Sequence, residues 1–216
     1  MTERAPESGD DQGAAARAAR EQGVRDLVTA GRSGDAAALA IEMYGGEVLG
    51  FLHAVARDED LAGEAFSVFS EDLLRGLRSF RWDASLRTWS YALARNALHR
   101  LRRDPRRRAR NNVSLSNGAA DVSAIVEQVR TATLPFLRTE VKDELRRLRD
   151  ALEPDDHALL VLRIDRKMSW KDIARALPGD DGQDVDRRAA TLRKRFERAK
   201  TMLRELATAR GLLAVD

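Results

Sequence analysis

Residues 153–206 read EPDDHALLVLRIDRKMSWKDIARALPGDDGQDVDRRAATLRKRFERAKTMLREL. Three helices are written into this stretch. Glu153-Pro154-Asp155-Asp156 is a helix start, because proline suits the first helical position and acids suit the positive end of the helix dipole. That helix continues through Leu159, Leu160, Leu162 and Arg163. Ser169-Trp170-Lys171-Asp172 has the spacing of a capping box and opens a short helix with Ile173, Ala174 and Leu177 as its inner face. Pro178-Gly179 ends it. A polar connection, Asp180 to Asp186, leads to a long helix in which Ala189, Leu192, Phe196, Ala199, Leu203 and Leu206 recur at steps of three and four, a core-facing stripe. Arg188, Arg193, Lys194, Arg195 and Arg198 fall mainly off that stripe. Two short helices, a turn and a basic amphipathic helix have the arrangement of a helix-turn-helix. Two readings fit. Either the last helix enters a DNA major groove, where its cations donate to guanine O6 and N7 or to phosphate, or the cations form a solvated face of a helical bundle.

Working upstream, residues 80–103 read FRWDASLRTWSYALARNALHRLRR. Asp83 and Ser85 are suitable N-caps for a helix from Leu86 to Arg103. Leu86, Trp89, Leu93, Ala97 and Leu101 form its expected buried stripe. Arg87, Tyr91, Arg95, His99 and Arg103 stand at steps of four and share another face. Cations with an aromatic among them suit single-stranded or distorted DNA, since the charges neutralise phosphates and a ring can stack a base. Trp89 reads as core. Trp82, in a polar connection, is either a partly buried anchor or a base contact. His99 reads as a basic-face residue, because no second ligand stands at metal spacing. Further upstream, Leu61 to Leu77 carries Phe66, Val68, Phe69, Leu73, Leu74 and Leu77 among acids. That is more than one narrow stripe, so the helix is either buried on two sides or faces another protein.

Charge along the chain is segregated. The net charge of the 216 residues is only +3. Yet Arg95 to Arg110 holds eight arginines and one acid, Arg187 to Arg204 holds eight bases and one acid, and Asp58 to Asp72 holds six acids and neither Lys nor Arg. Such segregation marks faces meant for different partners. The absence of cysteine excludes disulfides and thiolate metal sites and fits a reducing cytoplasm. Three scattered histidines make no metal cluster. No apolar run approaches the roughly 20 residues of a membrane span, so membrane insertion is not expected. No cluster of acid, base, nucleophile and metal residues points to an enzyme, and no cofactor is expected.

Helical periodicity dominates and no alternating strand pattern is present, which predicts an all-α fold. Residues 1–23 are polar and mixed in charge and read as a disordered tail. Residues 24–103 form a first small helical domain. Residues 104–136, with Pro105, Asn111-Asn112 and Gly118, read as a flexible basic linker, with a helical segment around Ser123 to Arg130 inside it. Residues 137–216 form a second small domain ending in the helix-turn-helix.

The two quoted stretches, in this order and with a linker between them, resemble sigma factors of the extracytoplasmic-function group of bacterial RNA polymerase. Residues 80–103 are similar to the promoter-melting segment F-R-x-x-x-S-L-R-T-W-L-Y-x-I-A-R-N of that family. Leu159 to Leu206 is similar to its fourth conserved region, with Thr191-Leu192-Arg193-Lys194-Arg195-Phe196-Glu197-Arg198-Ala199 standing where the family has T-V-K-S-R-L-x-R-A. The resemblance implies promoter recognition and melting with core RNA polymerase, without catalysis by the chain itself. It implies minus-ten contacts by Arg81, Trp82, Asp83, Arg87, Tyr91, Arg95, His99 and Arg103. It implies minus-thirty-five contacts by Arg188, Thr191, Arg193, Lys194, Arg195 and Arg198. It places core polymerase on Glu64, Ser67, Val68, Glu71, Asp72 and Arg75. Core RNA polymerase and promoter DNA are the implied partners, with an anti-sigma factor as a third. Two features depart from the family pattern: Ser67 replaces a glutamine in the polymerase-binding helix, and the turn before the last helix is about eight residues longer. Two rival readings are a helix-turn-helix regulator that never replaces a sigma subunit, and a sigma-like adaptor that binds proteins only.

Overall fold

The computed structural model describes residues 8–104, 120–137, 151–177 and 184–210. All regular structure among them is helical, as the periodicity predicts. Helix α1 spans Ser8–Thr29, α2 Ser33–Ala56, α3 Glu59–Gly76, α4 Leu86–Arg103, α5 Ala120–Leu137, α6 Pro154–Leu160, α7 Trp170–Ala176 and α8 Val185–Ala209. A 3-10 turn, Leu77–Ser79, follows α3, and a π-helical turn, Val161–Asp165, prolongs α6.

The helix starts follow from their capping residues. Side-chain oxygens of Asp58, Ser85, Ser169 and Asp184 accept from the backbone N–H three residues on, at 2.8, 3.1, 3.1 and 3.4 Å. Each satisfies a donor that the helix itself leaves orphaned. Helix α6 opens on Pro154, with Asp155 and Asp156 in its first turn.

Helix α2 is the spine. It touches α1, α3, α4, α5 and α6. By length and composition it is apolar enough to cross a membrane, which the count of consecutive apolar residues does not reveal. Here the neighbouring helices cover it: Ile41, Val48, Leu49, Phe51 and Leu52 are essentially inaccessible. Burial of each such side chain contributes about 1.5–3 kcal/mol. Two glycines set close approaches. A Cβ on Gly45 would stand 3.2 Å from Val129 of α5, and one on Gly76 would stand 2.9 Å from the Trp89 ring.

Three expectations about organisation change. Residues 8–23 are helical rather than a disordered tail, because the end of α1 gains tertiary partners: Val24 is fully buried and Glu21 bonds to α2 and α4. In the linker, Ala120–Leu137 forms α5, longer than the helical segment expected there. Val122 and Val126 are buried, and the helix packs along α2. Finally, among the described residues the two expected domains are in contact: α4 touches α7, and one cluster of buried apolar side chains includes residues of both blocks. The rest of the expected linker, residues 105–119, lies outside the described residues, as do 138–150 of the second block and 178–183 of the long turn.

Candidate nucleic-acid interface

Two helices carry the cations singled out in the sequence, α4 and α8. The face of α4 differs from expectation. Leu86, Ala97 and Leu101 are buried as expected, but Trp89 and Leu93 are only half-buried, while Tyr91, Ala94 and Leu98 are fully enclosed. The reason is that α4 is wrapped by α2, α3 and α7 rather than lying on one partner. A helix enclosed on several sides does not keep one narrow stripe.

The expected DNA face Arg87, Tyr91 and Arg95 therefore points inward. Arg87 donates to Glu47 from Nε at 2.8 Å and forms an ion pair with it, Nη2 lying 2.7 Å from the carboxylate. It also reaches the Arg166 carbonyl at 3.0 Å. Tyr91 is 1% exposed, donates to Glu47 at 3.0 Å and meets Phe51 edge-on at 5.4 Å. Its ring cannot stack a base in this arrangement. Arg95 donates to Asp155 of α6 at 2.6 Å. Burial first, then the Glu47 charge, raises the Tyr91 hydroxyl well above its ordinary range. For Arg87 burial acts against the charged form, yet Glu47 and Tyr91 together hold its pKa above the usual value. His99 and Arg103, further along the helix, are exposed.

Glu21 caps this arrangement. Its carboxylate accepts from the Leu86 and Arg87 backbone N–H groups at 3.1 and 3.2 Å and from the Tyr44 hydroxyl at 2.7 Å. A carboxylate at a helix N-terminus faces the positive end of the dipole. Nothing in the local sequence marks Glu21, because its partners lie in α2 and α4.

The connection before α4 is an aromatic ladder. Phe80 stacks on Trp89 at 4.4 Å and tilts against Trp82 at 4.8 Å, and the Arg25 guanidinium lies 4.8 Å over the Trp82 ring. Trp82 takes φ +61°, a left-handed conformation that costs a bulky residue about 1–3 kcal/mol. The anchor reading of Trp82 describes this packing. Arg81 and Asp83 pair with each other at 2.9 Å on the surface. Beyond it, an open groove of about 550 Å3 between α3 and α4 is lined by Arg75, Asn96, His99 and Arg100, with Arg100 paired to Asp72. Asn96 and Arg100 were not among the expected contacts. Both lie just past the steps of four that defined the expected face.

The expected protein-binding residues of α3 are divided. This helix is buried on two sides, against α2 and α4. Val68 is buried, which removes it from the surface set. Ser67 donates to the Gly63 carbonyl at 3.2 Å. Glu71 pairs with Arg75 at 3.0 Å, and Arg75 is otherwise exposed. Glu64 lines a cavity of about 460 Å3 with Glu59, Asp60 and, from α5, Arg130.

Helices α7 and α8 pack on each other through Trp170 and Phe196, edge to face at 5.3 Å. Ile173, Ala174 and Leu177 are buried, and so are Ala189, Phe196 and Ala199 of the stripe on α8. Asp184 caps α8, so this helix starts at the end of the polar connection. The six expected contacts separate. Thr191, Lys194 and Arg198 are exposed on one ridge, at steps of three and four from Arg187. Arg187 was not expected there, although its place seven residues before Lys194 puts it on the same face. Arg193 is exposed, with its guanidinium 5.5 Å from the Trp170 ring centre. Arg188 instead donates to the Leu177 carbonyl, and Arg195 to Asp156.

Among the described residues, no group of three His, Cys, Asp or Glu side chains could hold a metal ion. In comparisons with known proteins, no family model, no curated protein and no solved structure matches the chain.

Proposed function

We propose that this chain is a sigma factor of the extracytoplasmic-function group, acting in the cytoplasm with core RNA polymerase on promoter DNA. The observation that carries the proposal is the α7–α8 pair. A serine-capped short helix braces a basic helix through Trp170 and Phe196, leaving Arg187, Thr191, Lys194 and Arg198 on a solvent-facing ridge. A ridge of that composition suits entry into a major groove, with cations for phosphate and for guanine. The α3–α4 pair and its aromatic ladder supply the second half of the reading, as the elements for polymerase docking and minus-ten contact. An anti-sigma partner belongs to the same proposal.

A second reading is favoured by one observation. Arg87, Tyr91 and Arg95 are engaged inside the protein, which suits a helix-turn-helix regulator whose α4 never touches DNA. Binding to sigma-free core polymerase separates the two. The sigma reading expects the purified chain to co-elute with core polymerase in gel filtration, and the charge reversal Arg75→Glu to weaken that complex. Absence of a complex with core rules the sigma reading out and leaves the regulator.

A further inference from the structure

Asp155 and Asp156 are consecutive, yet they serve different helices. Asp155 accepts from Arg95 of α4 at 2.6 Å, and Asp156 accepts from Arg195 of α8. One dipeptide at the start of α6 therefore ties together the two helices that the proposed function assigns to DNA. Other polar bonds run alongside. Arg87 donates to the Arg166 carbonyl at 3.0 Å, and Arg57 donates to the Leu152 carbonyl at 2.6 Å. Arg95 keeps only 11% of its side-chain exposure, so the contact withdraws a cation from solvent.

The electrostatics near Arg95 are those of a crowded cationic site. Burial, and then the Arg57 charge, lower the pKa of Arg102; Arg95 adds to this and Asp155 opposes it. Asp155 is thus a counter-charge for two guanidiniums, those of Arg95 and Arg102. Its own side chain is 51% exposed. A half-solvated ion pair of this kind is weak and exchangeable. Phosphate offers the same acceptor chemistry to arginine as carboxylate does, and a duplex presents many phosphates along one groove.

We propose that Asp155 and Asp156 form an autoinhibitory latch: they hold α6–α8 against α4 and compete with DNA phosphate for Arg95 and Arg195, so that DNA engagement requires the latch to open. The latch rests on the reading of α4 and α8 as DNA-contacting helices. It accounts for the withdrawal of Arg95 from solvent, whereas Arg87 and Tyr91 are held by Glu47 of α2 and stay inward when the latch opens.

The test uses the full chain. The chain has no cysteine, so Glu42→Cys on α2 and Glu205→Cys on α8, both exposed, carry a spin-label pair without background. The label separation is measured for the parent, for Asp155→Asn with Asp156→Asn, and for Arg95→Gln with Arg195→Gln. The second double variant breaks the same contacts without touching α6, which guards against a folding defect there. Both must shift the distances to a longer population, and a long mixed-sequence duplex must do the same to the parent. The aspartate double variant must also bind that duplex about tenfold more tightly, the factor by which a closed form populated about ten to one masks binding. Distances that stay short in both double variants overturn the latch, whatever the DNA affinity. Distances that lengthen with no gain in DNA affinity also overturn it, provided that Lys194→Ala with Arg198→Ala still weakens parental DNA binding. If that ridge variant binds as the parent does, the DNA-binding reading itself has failed.

Discussion

Glu21 of α1 accepts a hydrogen bond from the backbone N–H of Leu86, the first residue of α4, at 3.1 Å and across 65 positions of sequence. The same carboxylate serves the Arg87 N–H and the Tyr44 hydroxyl. Three donors from two helices converge on one side chain. Helix α1 is thereby part of the first helical block rather than a tail attached to it.

Glu21→Ala leaves these part-buried donors without their acceptor, at a cost of about 1–3 kcal/mol. The urea midpoint should fall with the slope unchanged. Glu21→Gln keeps one carbonyl oxygen in place and should lose less. An alanine variant as stable as the parent would mean that the cap contributes nothing.

The chain has two tyrosines, Tyr44 and Tyr91, and both are buried. Burial, reinforced by Glu21 beside Tyr44 and Glu47 beside Tyr91, raises both hydroxyls above their ordinary value of 10.0. The folded protein keeps these protons at a pH where the unfolded chain releases them. Their contribution to stability is therefore fully present below pH 10.0 and declines as pH rises beyond it. Tyrosinate absorbance should stay absent until the protein unfolds, and Tyr91→Phe should flatten the alkaline decline. A smooth tyrosinate titration centred at the ordinary value, with helicity intact, would contradict the buried Glu47–Tyr91 arrangement.

The ridge on α8 makes a separate prediction. Lys194→Ala with Arg198→Ala should weaken duplex binding and reduce the slope of log affinity against log salt by about two, because each cation that neutralises a phosphate releases about one counterion. Arg188→Ala should change the slope far less, because its guanidinium is held by the Leu177 carbonyl. Fluorescence anisotropy over a salt series measures both. Equal slopes for all three proteins would remove the ridge from DNA binding.

Local features were legible in the sequence. Pro154, the Ser169 cap and the α8 stripe through Phe196 each depend on neighbours within a few residues, and each stands where the sequence puts it. Features set by distant partners were not. Arg87, Tyr91 and Arg95 share one helical face, but periodicity cannot say whether that face meets solvent, and Glu47 and Asp155 turn it inward. Trp89 satisfied the stripe rule yet sits half-buried at the edge, stacked on Phe80. The family resemblance puts Val68 among the polymerase contacts, and a helix with apolar residues on more than one face leaves its burial open; the packing of α2 and α4 buries it. Glu21 had no local signal at all.

Reconstituted transcription tests the proposed promoter-directed initiation. The purified chain is added to sigma-free core polymerase with a genomic template library, and transcript start sites are mapped. The account predicts discrete starts that depend on the chain and are lost with Lys194→Ala and Arg198→Ala. Core polymerase that yields the same unspecific transcripts with or without the chain would contradict it.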